Sequence, residues 1–447
     1  MRNDRRSFLK KTTLAAAGIG LTSSSINAMS AISYNNIIGS NDRINVAIQG
    51  LGRRYPAFLE GITAKKSNVR LKYLCDVMPS QMDNAAIKVG EMINYKPTLE
   101  KNIRTILDDK SVDAIFMATP DHWHAPGAIM AMQAGKHVYL EKPCSHNPQE
   151  NELIVAAQKK YNKVVQMGNQ QRSSPQSIKI IKEIHNGIIG DVYKAVAFYT
   201  NGRGRVPNPV KATPPAGLDW DLFQGPAPRK EYMHDTWNYN WHWYGWDYGT
   251  AELGNNATHE LDIARWALDV KYPDAVEVSA SKDHFKDDGW EMYDQMLATY
   301  KFNDKVIEWD GVSRNGYQKY GRGRGTIIYG SKGVVMVDRG GYELYDLKGK
   351  LIDQLKSDSS EGGIALGGGG SLSTRHTVNF LKAIRGEEQL TSPIETGAIS
   401  QMLVHYGNIA YRINKGFEVD QNTGRIFDRE AMKLWSRTYE PGWEPKL

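Results

Sequence analysis

The chain predicts an α/β protein whose N-terminal part is a doubly wound parallel sheet. Three observations predict it. Short apolar strands alternate with helical stretches between Ile44 and Gly168, which is how successive βαβ units read. The first strand runs into Gly50-Leu51-Gly52 and then a helix, the setting of a pyrophosphate-binding turn. The second strand ends at Asp76, about where an acid accepts ribose hydroxyls in such sheets.

Residues 1–31 read as an export signal. Arg5-Arg6-Ser7-Phe8-Leu9-Lys10 precedes an apolar run from Thr12 to Leu21, and small polar residues follow, the layout of a secretory signal. The run is shorter than the ~20 apolar residues of a bilayer span. Its Arg-Arg-x-Phe-Leu-Lys pattern is of the twin-arginine kind. No cysteine directly follows the run. A periplasmic or otherwise exported protein without a membrane anchor is therefore expected.

Ile44–Gln49 reads as a buried strand and Tyr55 to Ala64 as the helix after it. Gly50 permits the tight turn, and Gly52 lets the backbone approach phosphates at the helix N-terminus. Tyr55 stands where the pattern has its third glycine. The next strand is Val69–Cys75. Asp76 at its end would repel a 2′-phosphate, so NAD is expected rather than NADP. Further strands are expected at Asp113–Thr119, His137–Leu140 and Lys163–Gly168. Ligands of such sheets lie beyond the carboxyl ends of the strands. Thr119-Pro120-Asp121-His122-Trp123-His124, Glu141-Lys142-Pro143 and Gly168-Asn169-Gln170 all fall there. The two cysteines, Cys75 and Cys144, fall on different halves of the sheet. That is beyond the ~7 Å Cα reach of a disulfide, so both are expected as free thiols.

Composition narrows the partners. The net charge of +6 is mild over 447 residues, with no dense basic block after the first dozen, which argues against nucleic acid. The chain has 11 Trp and 23 Tyr against 10 Phe. Trp and Tyr join a flat apolar face to a polar tip, which suits binding surfaces as well as cores.

The Gly-x-Gly strand, Ala118-Thr119-Pro120-Asp121-His122-Trp123-His124-Ala125 and Glu141-Lys142-Pro143 together resemble the Gfo/Idh/MocA oxidoreductases. The resemblance runs from about Asp42 to the C-terminus. Asn169-Gln170-Gln171-Arg172, Asp219-Trp220-Asp221-Leu222, Gly225-Pro226 and Gly254-Asn255-Asn256-Ala257-Thr258-His259-Glu260-Leu261-Asp262 are similar to an exported bacterial branch. The resemblance implies a Rossmann domain over 42–168 and a second domain over 169–447. The second domain would carry an open, mostly antiparallel sheet with helices on one face, for substrate binding and self-association. Strands are compatible at Val192–Tyr199, Val276–Ser281, Gln295–Phe302, Val306–Asp310, Gly325–Gly330 and Val334–Asp338. Helices are compatible at Thr258–Leu268, Arg375–Arg385 and Thr396–Asn414.

The resemblance also implies the site. Lys142 takes the family's lysine role beside the nicotinamide, and His259 the histidine role. Asn255 stands where the family has an aspartate. Oxidising a carbinol needs a base for the hydroxyl proton, and a histidine near neutrality suits it. An ammonium near the same oxygen stabilises developing charge. With Asn255 in place of an acid, a neutral His259 as base and Lys142 as the charge stabiliser are expected. Asp262, three residues on, is the candidate to restore the missing charge. Cofactor contacts are expected from Gly50, Gly52, Asp76, Thr119, Pro120, His122, His124, Glu141 and Asn169. No carboxylate or cysteine stands at ligand spacing from His122 and His124, so no metal is expected.

The run Trp237-Asn238-Tyr239-Asn240-Trp241-His242-Trp243-Tyr244-Gly245-Trp246-Asp247-Tyr248 reads equally as a sugar-binding surface and as packing. Arg172, Trp220, Trp237, Tyr239 and Asp262 are the candidate substrate contacts. Arg203 and Arg205 fit the surface better, and Gly362 to Gly370 reads as a flexible loop. The expected activity is hydride transfer between a sugar or glycoside hydroxyl and tightly held NAD. Two alternatives are glycoside cleavage by transient oxidation and a non-catalytic dinucleotide sensor. Export in the folded state fits a trapped cofactor, because free dinucleotide is scarce outside the cytoplasm.

Overall fold

The computed structural model describes residues 42–356 and 370–447. The expected export signal lies outside the described residues, as does the Gly362–Gly370 loop up to its last glycine. The first sheet has six parallel strands: β1 (Ile44–Gln49), β2 (Val69–Cys75), β3 (Thr98–Glu100), β4 (Ala114–Met117), β5 (His137–Leu140) and β6 (Val165–Met167). Their order is β3-β2-β1-β4-β5-β6, the doubly wound arrangement expected. Its central strands are covered on both faces, so they read as unbroken apolar runs. On one face Phe58 meets Phe116 and Tyr139 at ring distances of 5.4 and 5.1 Å. On the other, Ala47, Ile115 and Val138 pack under Ala128 and Met132. The expected strands and helix end within two residues of those observed. The sequence reading omits β3, which is three residues long and carries no buried residue.

The second sheet is built from β7 (Val192–Gly202), β8 (Ala275–Ser281), β9 (Gln295–Phe302), β10 (Lys305–Val312), β11 (Arg314–Asn315), β12 (Arg324–Gly330), β13 (Gly333–Asp338), β14 (Gly341–Asp346), β15 (Leu351–Lys356) and β16 (Phe417–Glu418). Its order is β15-β14-β13-β12-β7-β10-β9-β8-β16, with β11 on β7. The β7–β10 pair is parallel and the other pairs are antiparallel. Period-two burial explains the face it presents. In β9, Met296, Ala298, Tyr300 and Phe302 are buried against the helices Thr258–Leu268 and Ile394–Ile413, while Leu297 and Lys301 point the other way, exposed. β14 and β15 escape the sequence reading; β15 is exposed throughout and shows no core-facing alternation.

One helix returns from the second sheet to the first. Ser371–Ile384, expected among the later helices, places Phe380 and Leu381 in the core of the first sheet. Cys75 and Cys144 are free and buried, with β1 and β4 between their strands, as expected. Among the described residues no helix is long and apolar enough to cross a membrane.

Candidate active site

The chain turns opposite ways after β1 and β4, and the crevice beyond their ends is where a doubly wound sheet takes its ligand. A cavity of about 370 Å³ opens there and extends to the second sheet. Gly50 sits at φ +86°, and a Cβ on it would stand 2.6 Å from the Ala118 backbone, so only glycine fits. A Cβ on Gly52 would meet nothing within 4 Å: this glycine faces open cleft. Tyr55, in place of the third glycine, is buried in the core between helix and sheet. Asp76 accepts from the backbone N–H of Leu51 (2.7 Å) and Met78 (2.9 Å) and faces the cleft. Burial pushes its pKa up to about 6 against these hydrogen bonds. Gln49 Oε1, Thr119 Oγ1 and His124 Nε2 are buried in the cleft wall without partners. His124 donates from Nδ1 to Pro143 O (2.5 Å), so Nε2 is the ring nitrogen left for a ligand.

Lys142 reaches the cleft from beyond the end of β5, and His259 from the helix Thr258–Leu268. Lys142 Nζ donates to the backbone oxygen of Asn255. Burial lowers its pKa to about 8, against the opposing pull of Asp121 and Glu141. Asp121 is therefore the first acid acting on Lys142. It accepts from Thr250 N (3.1 Å) and Oγ1 (2.6 Å) and is fully buried. His259 is held neutral, as expected, but chiefly by burial and then by the charge of Arg339. Residues Leu253–Ala257 form a π-helical turn before the helix Thr258–Leu268. This turn presents the Asn255 carbonyl to Lys142, while the Asn255 side chain donates to Glu252 (3.0 Å). Asn255 serves the lysine through its backbone.

Several expected contacts lie elsewhere. Arg172 and Asp262 do not line the cleft: they form a buried bidentate pair at 2.7 and 2.9 Å, with Ser400 also donating to Asp262. Asp262 therefore does not restore charge beside Lys142. His122 is sealed behind the wall, donating from Nε2 to Phe223 O (2.9 Å), with burial first holding its pKa near 3. Trp220 stacks on Phe223, which does line the cleft, and so backs the lining from behind. Asn169 follows β6 but is not in the lining, and its side-chain polar atoms are buried without partners. Gly50, Gly52, Asp76, Thr119, Pro120, His124, Glu141, Lys142, Trp237, Tyr239, Asn255 and His259 all line it. The aromatic run divides: Trp237, Tyr239, Trp241 and His242 face the cleft, whereas Trp243 stacks on Trp290 at 3.8 Å in the core. Arg205 makes an exposed pair with Asp287, but Arg203 is drawn inward to Glu252 (3.4 Å).

The sequence reading missed Arg54, Asp121, Gln170, Tyr199, Arg324 and Arg339, all in the lining. Asp121 stood within the Thr119–His124 motif, and Arg54 two residues after the glycine turn; Arg324 comes from β12 and Arg339 from the hairpin after β13, without any local motif. Glu141 accepts from Arg54 Nε (2.7 Å) and Gln170 Nε2 (2.9 Å), which fixes the wall beside Lys142. Among the described residues no group of three His, Cys, Asp or Glu is placed to hold a metal.

These residues fit a dinucleotide. The Gly50–Gly52 turn leaves room where a pyrophosphate would lie, Asp76 offers a carboxylate to a ribose, and the unpartnered Thr119 and His124 atoms await a polar ligand. Comparisons with known proteins agree. Residues 44–169 match the NAD-binding Rossmann model of the Gfo/Idh/MocA oxidoreductase family, and residues 195–338 its C-terminal alpha/beta domain; together they span more than half of the chain. A curated relative, a glycosyl hydrolase family 109 protein of Shewanella baltica, is 21% identical over 376 residues, 76% of each chain. Among solved structures, aldose-aldose oxidoreductase from Caulobacter crescentus superposes with TM-score 0.62 and 19% identity, covering 84% of this chain and 100% of that one. The WlbA dehydrogenase from Bordetella pertussis does so with TM-score 0.61 and 17% identity, covering 85% and 99%. The chain belongs to the Gfo/Idh/MocA family and is an NAD-dependent oxidoreductase.

Proposed function

We propose that the protein oxidises a hydroxyl of a sugar or glycoside. The observation that carries this is the meeting of Lys142 and His259 in one cleft with the Gly50–Gly52 turn and Asp76. NAD, when bound, supplies the hydride acceptor. Lys142 is the proton acceptor, because a pKa of about 8 lies near working pH. This exchanges the roles expected from sequence: the surroundings that keep His259 neutral also make it a weak base, so it orients the hydroxyl as a neutral hydrogen-bonding group. Trp237, Tyr239 and Trp241 offer flat faces to sugar C–H groups. The Caulobacter structure holds glycerol and the Bordetella structure NADH and UDP-GlcNAcA, both consistent with a polyhydroxylated substrate.

A second reading, glycoside cleavage by transient oxidation, is favoured by the names of the curated glycosyl hydrolase family 109 relatives. One experiment separates the two. The purified protein is denatured and its NAD measured by mass spectrometry. The native protein is then offered free sugars and nitrophenyl glycosides. NADH accumulating from a free sugar supports the dehydrogenase. Aglycone release without net NADH supports cleavage. Bound NAD with neither signal defeats both and leaves the sensor.

Two further features belong to this reading. Residues 1–31 direct export of the folded, cofactor-loaded protein, supported by the Arg5-Arg6-Ser7-Phe8-Leu9-Lys10 motif; fractionation of cells carrying Arg5→Lys/Arg6→Lys tests it. The chain self-associates through the helix-free face of the second sheet, supported by exposed Tyr193 and Leu297 there; light scattering after size exclusion tests it.

A further inference from the structure

We propose that the sugar bound in this cleft carries a monoanionic group, a carboxylate or a sulfate ester, and that Arg339 binds it. The inference rests on the cleft being a sugar site. Arg339 stands in the hairpin between β13 and β14 and lines the cleft with Lys142 and His259. Among the described residues its guanidinium has no ion pair and no hydrogen bond. The acids around it are already engaged. Glu260 takes Arg324 with both oxygens, at 2.7 and 2.8 Å. Asp338, the preceding residue, accepts from Arg322 and from Gly340 N. Glu141 takes Arg54 and Gln170. Glu141 and Glu260 are thus each taken by another cation, Arg54 and Arg324, and Arg339 is left without a counter-ion of its own.

This unpaired cation is half-buried in the cleft wall. Burial and the neighbouring Arg324 both push the Arg339 pKa down, yet a guanidinium stays protonated at working pH. A half-buried cation without a partner is free to donate a charge-assisted hydrogen bond to a ligand. The planar fork of an arginine matches two oxygens of one anionic group. The cofactor's pyrophosphate has a different seat, the Gly50–Gly52 turn on the first sheet. Arg339 comes from the second sheet, near Tyr199 and Arg324.

The test is calorimetric titration of the NAD-loaded protein with matched pairs: methyl glucoside and methyl glucuronide, methyl galactoside and methyl galacturonide, N-acetylglucosamine and N-acetylglucosamine 6-sulfate. The expected result is that one acidic member binds at least about tenfold more tightly than its neutral partner. The preference disappears in Arg339→Leu and survives in part in Arg339→Lys, with circular dichroism and NAD content unchanged. Preference for a uronide or for the sulfate identifies the anion. No preference in any pair, a preference that survives Arg339→Leu, or loss of NAD from the folded variants overturns the proposal. Oxidation of neutral sugars without acid preference defeats this inference and leaves the functional reading intact. Arg339-dependent binding of an acid, with neither NADH nor aglycone formed from it, does the reverse.

Discussion

Lys142 is the residue whose charge is most easily changed near neutral pH. Burial lowers its pKa from 10.5 to about 8, although Asp121 and Glu141 oppose the shift. The free base is the proton acceptor, so oxidation depends on the deprotonated fraction. We expect kcat/KM for sugar oxidation to rise about tenfold per pH unit below about 8 and to level above it; a pH profile checks this. A His259 base would instead place the rising limb below 6.5. Arg172 and Asp262 teach the opposite lesson. Their pair is buried, at 7% and 2% side-chain exposure, with the guanidinium also over Trp266 at 4.6 Å. Asp262→Ala leaves a buried guanidinium unpaired and should cost about 3–5 kcal/mol, read by chemical denaturation, while NAD affinity is kept. The sign with pH follows from the surroundings: burial raises the Asp262 pKa, but Arg172, Arg265 and Ser400 together outweigh it and the net shift is down. Its contribution is complete above the ordinary aspartate pKa of about 3.9 and is lost as pH falls through the lower folded value. In the sequence, Asp262 looked functional because it follows His259 on the same helix. Only its long-range partners, Arg172 and Ser400, show that it is structural.

At the scale of elements, the glycine turn separates a structural from a binding requirement. Gly50 needs both its positive φ and its missing Cβ, because the Ala118 backbone closes over it. Gly52 needs only an empty space in front of it. Gly50→Ala should therefore lower the melting temperature and lose NAD. Gly52→Ala should keep the melting temperature of the apo protein and weaken NAD by tenfold or more, roughly what a displaced phosphate contact costs. Calorimetry with NAD and a thermal scan without it distinguish the two. This turn was legible because strand, glycines and helix are contiguous in sequence. The same holds for β1, β2, β5 and β9, whose apolar periods match their burial. The π-helical turn at Leu253–Ala257 was not legible. The resemblance put Asn255 in the place of an acidic side chain, whereas the wider turn brings its backbone carbonyl to Lys142. β14 and β15 were hidden for a different reason: an exposed edge hairpin has no buried face to impose a period.

The whole molecule is tied together by returning chain, which affects how it unfolds. After the second sheet, the helix Ser371–Ile384 packs Phe380 into the first sheet's core. The C-terminal segment then crosses the first sheet's helices again. Trp443 meets Trp123 edge-on at 5.2 Å and lies under Arg104. Arg437 pairs with Glu150 and donates to His122 O (2.6 Å), on the reverse side of the cleft wall. Glu150 is fully buried, and Arg437 and the Tyr439 hydroxyl both donate to it. A first domain ending at Gly168 would lack both of these donors and leave the carboxylate, among the described residues, only the backbone N–H of His146 (2.7 Å). The cleft wall is thus held from behind by residues more than 280 positions away in sequence. We expect Arg437→Ala to cost about 3–5 kcal/mol, as the loss of one partner of a buried pair does. The transition should remain single, because both sheets share these contacts. NAD should raise the melting temperature of both wild type and variant, by mass action on the folded state. Two resolved transitions in wild type, with NAD moving only the first, would show instead that the sheets unfold independently and that the C-terminal segment does not couple them.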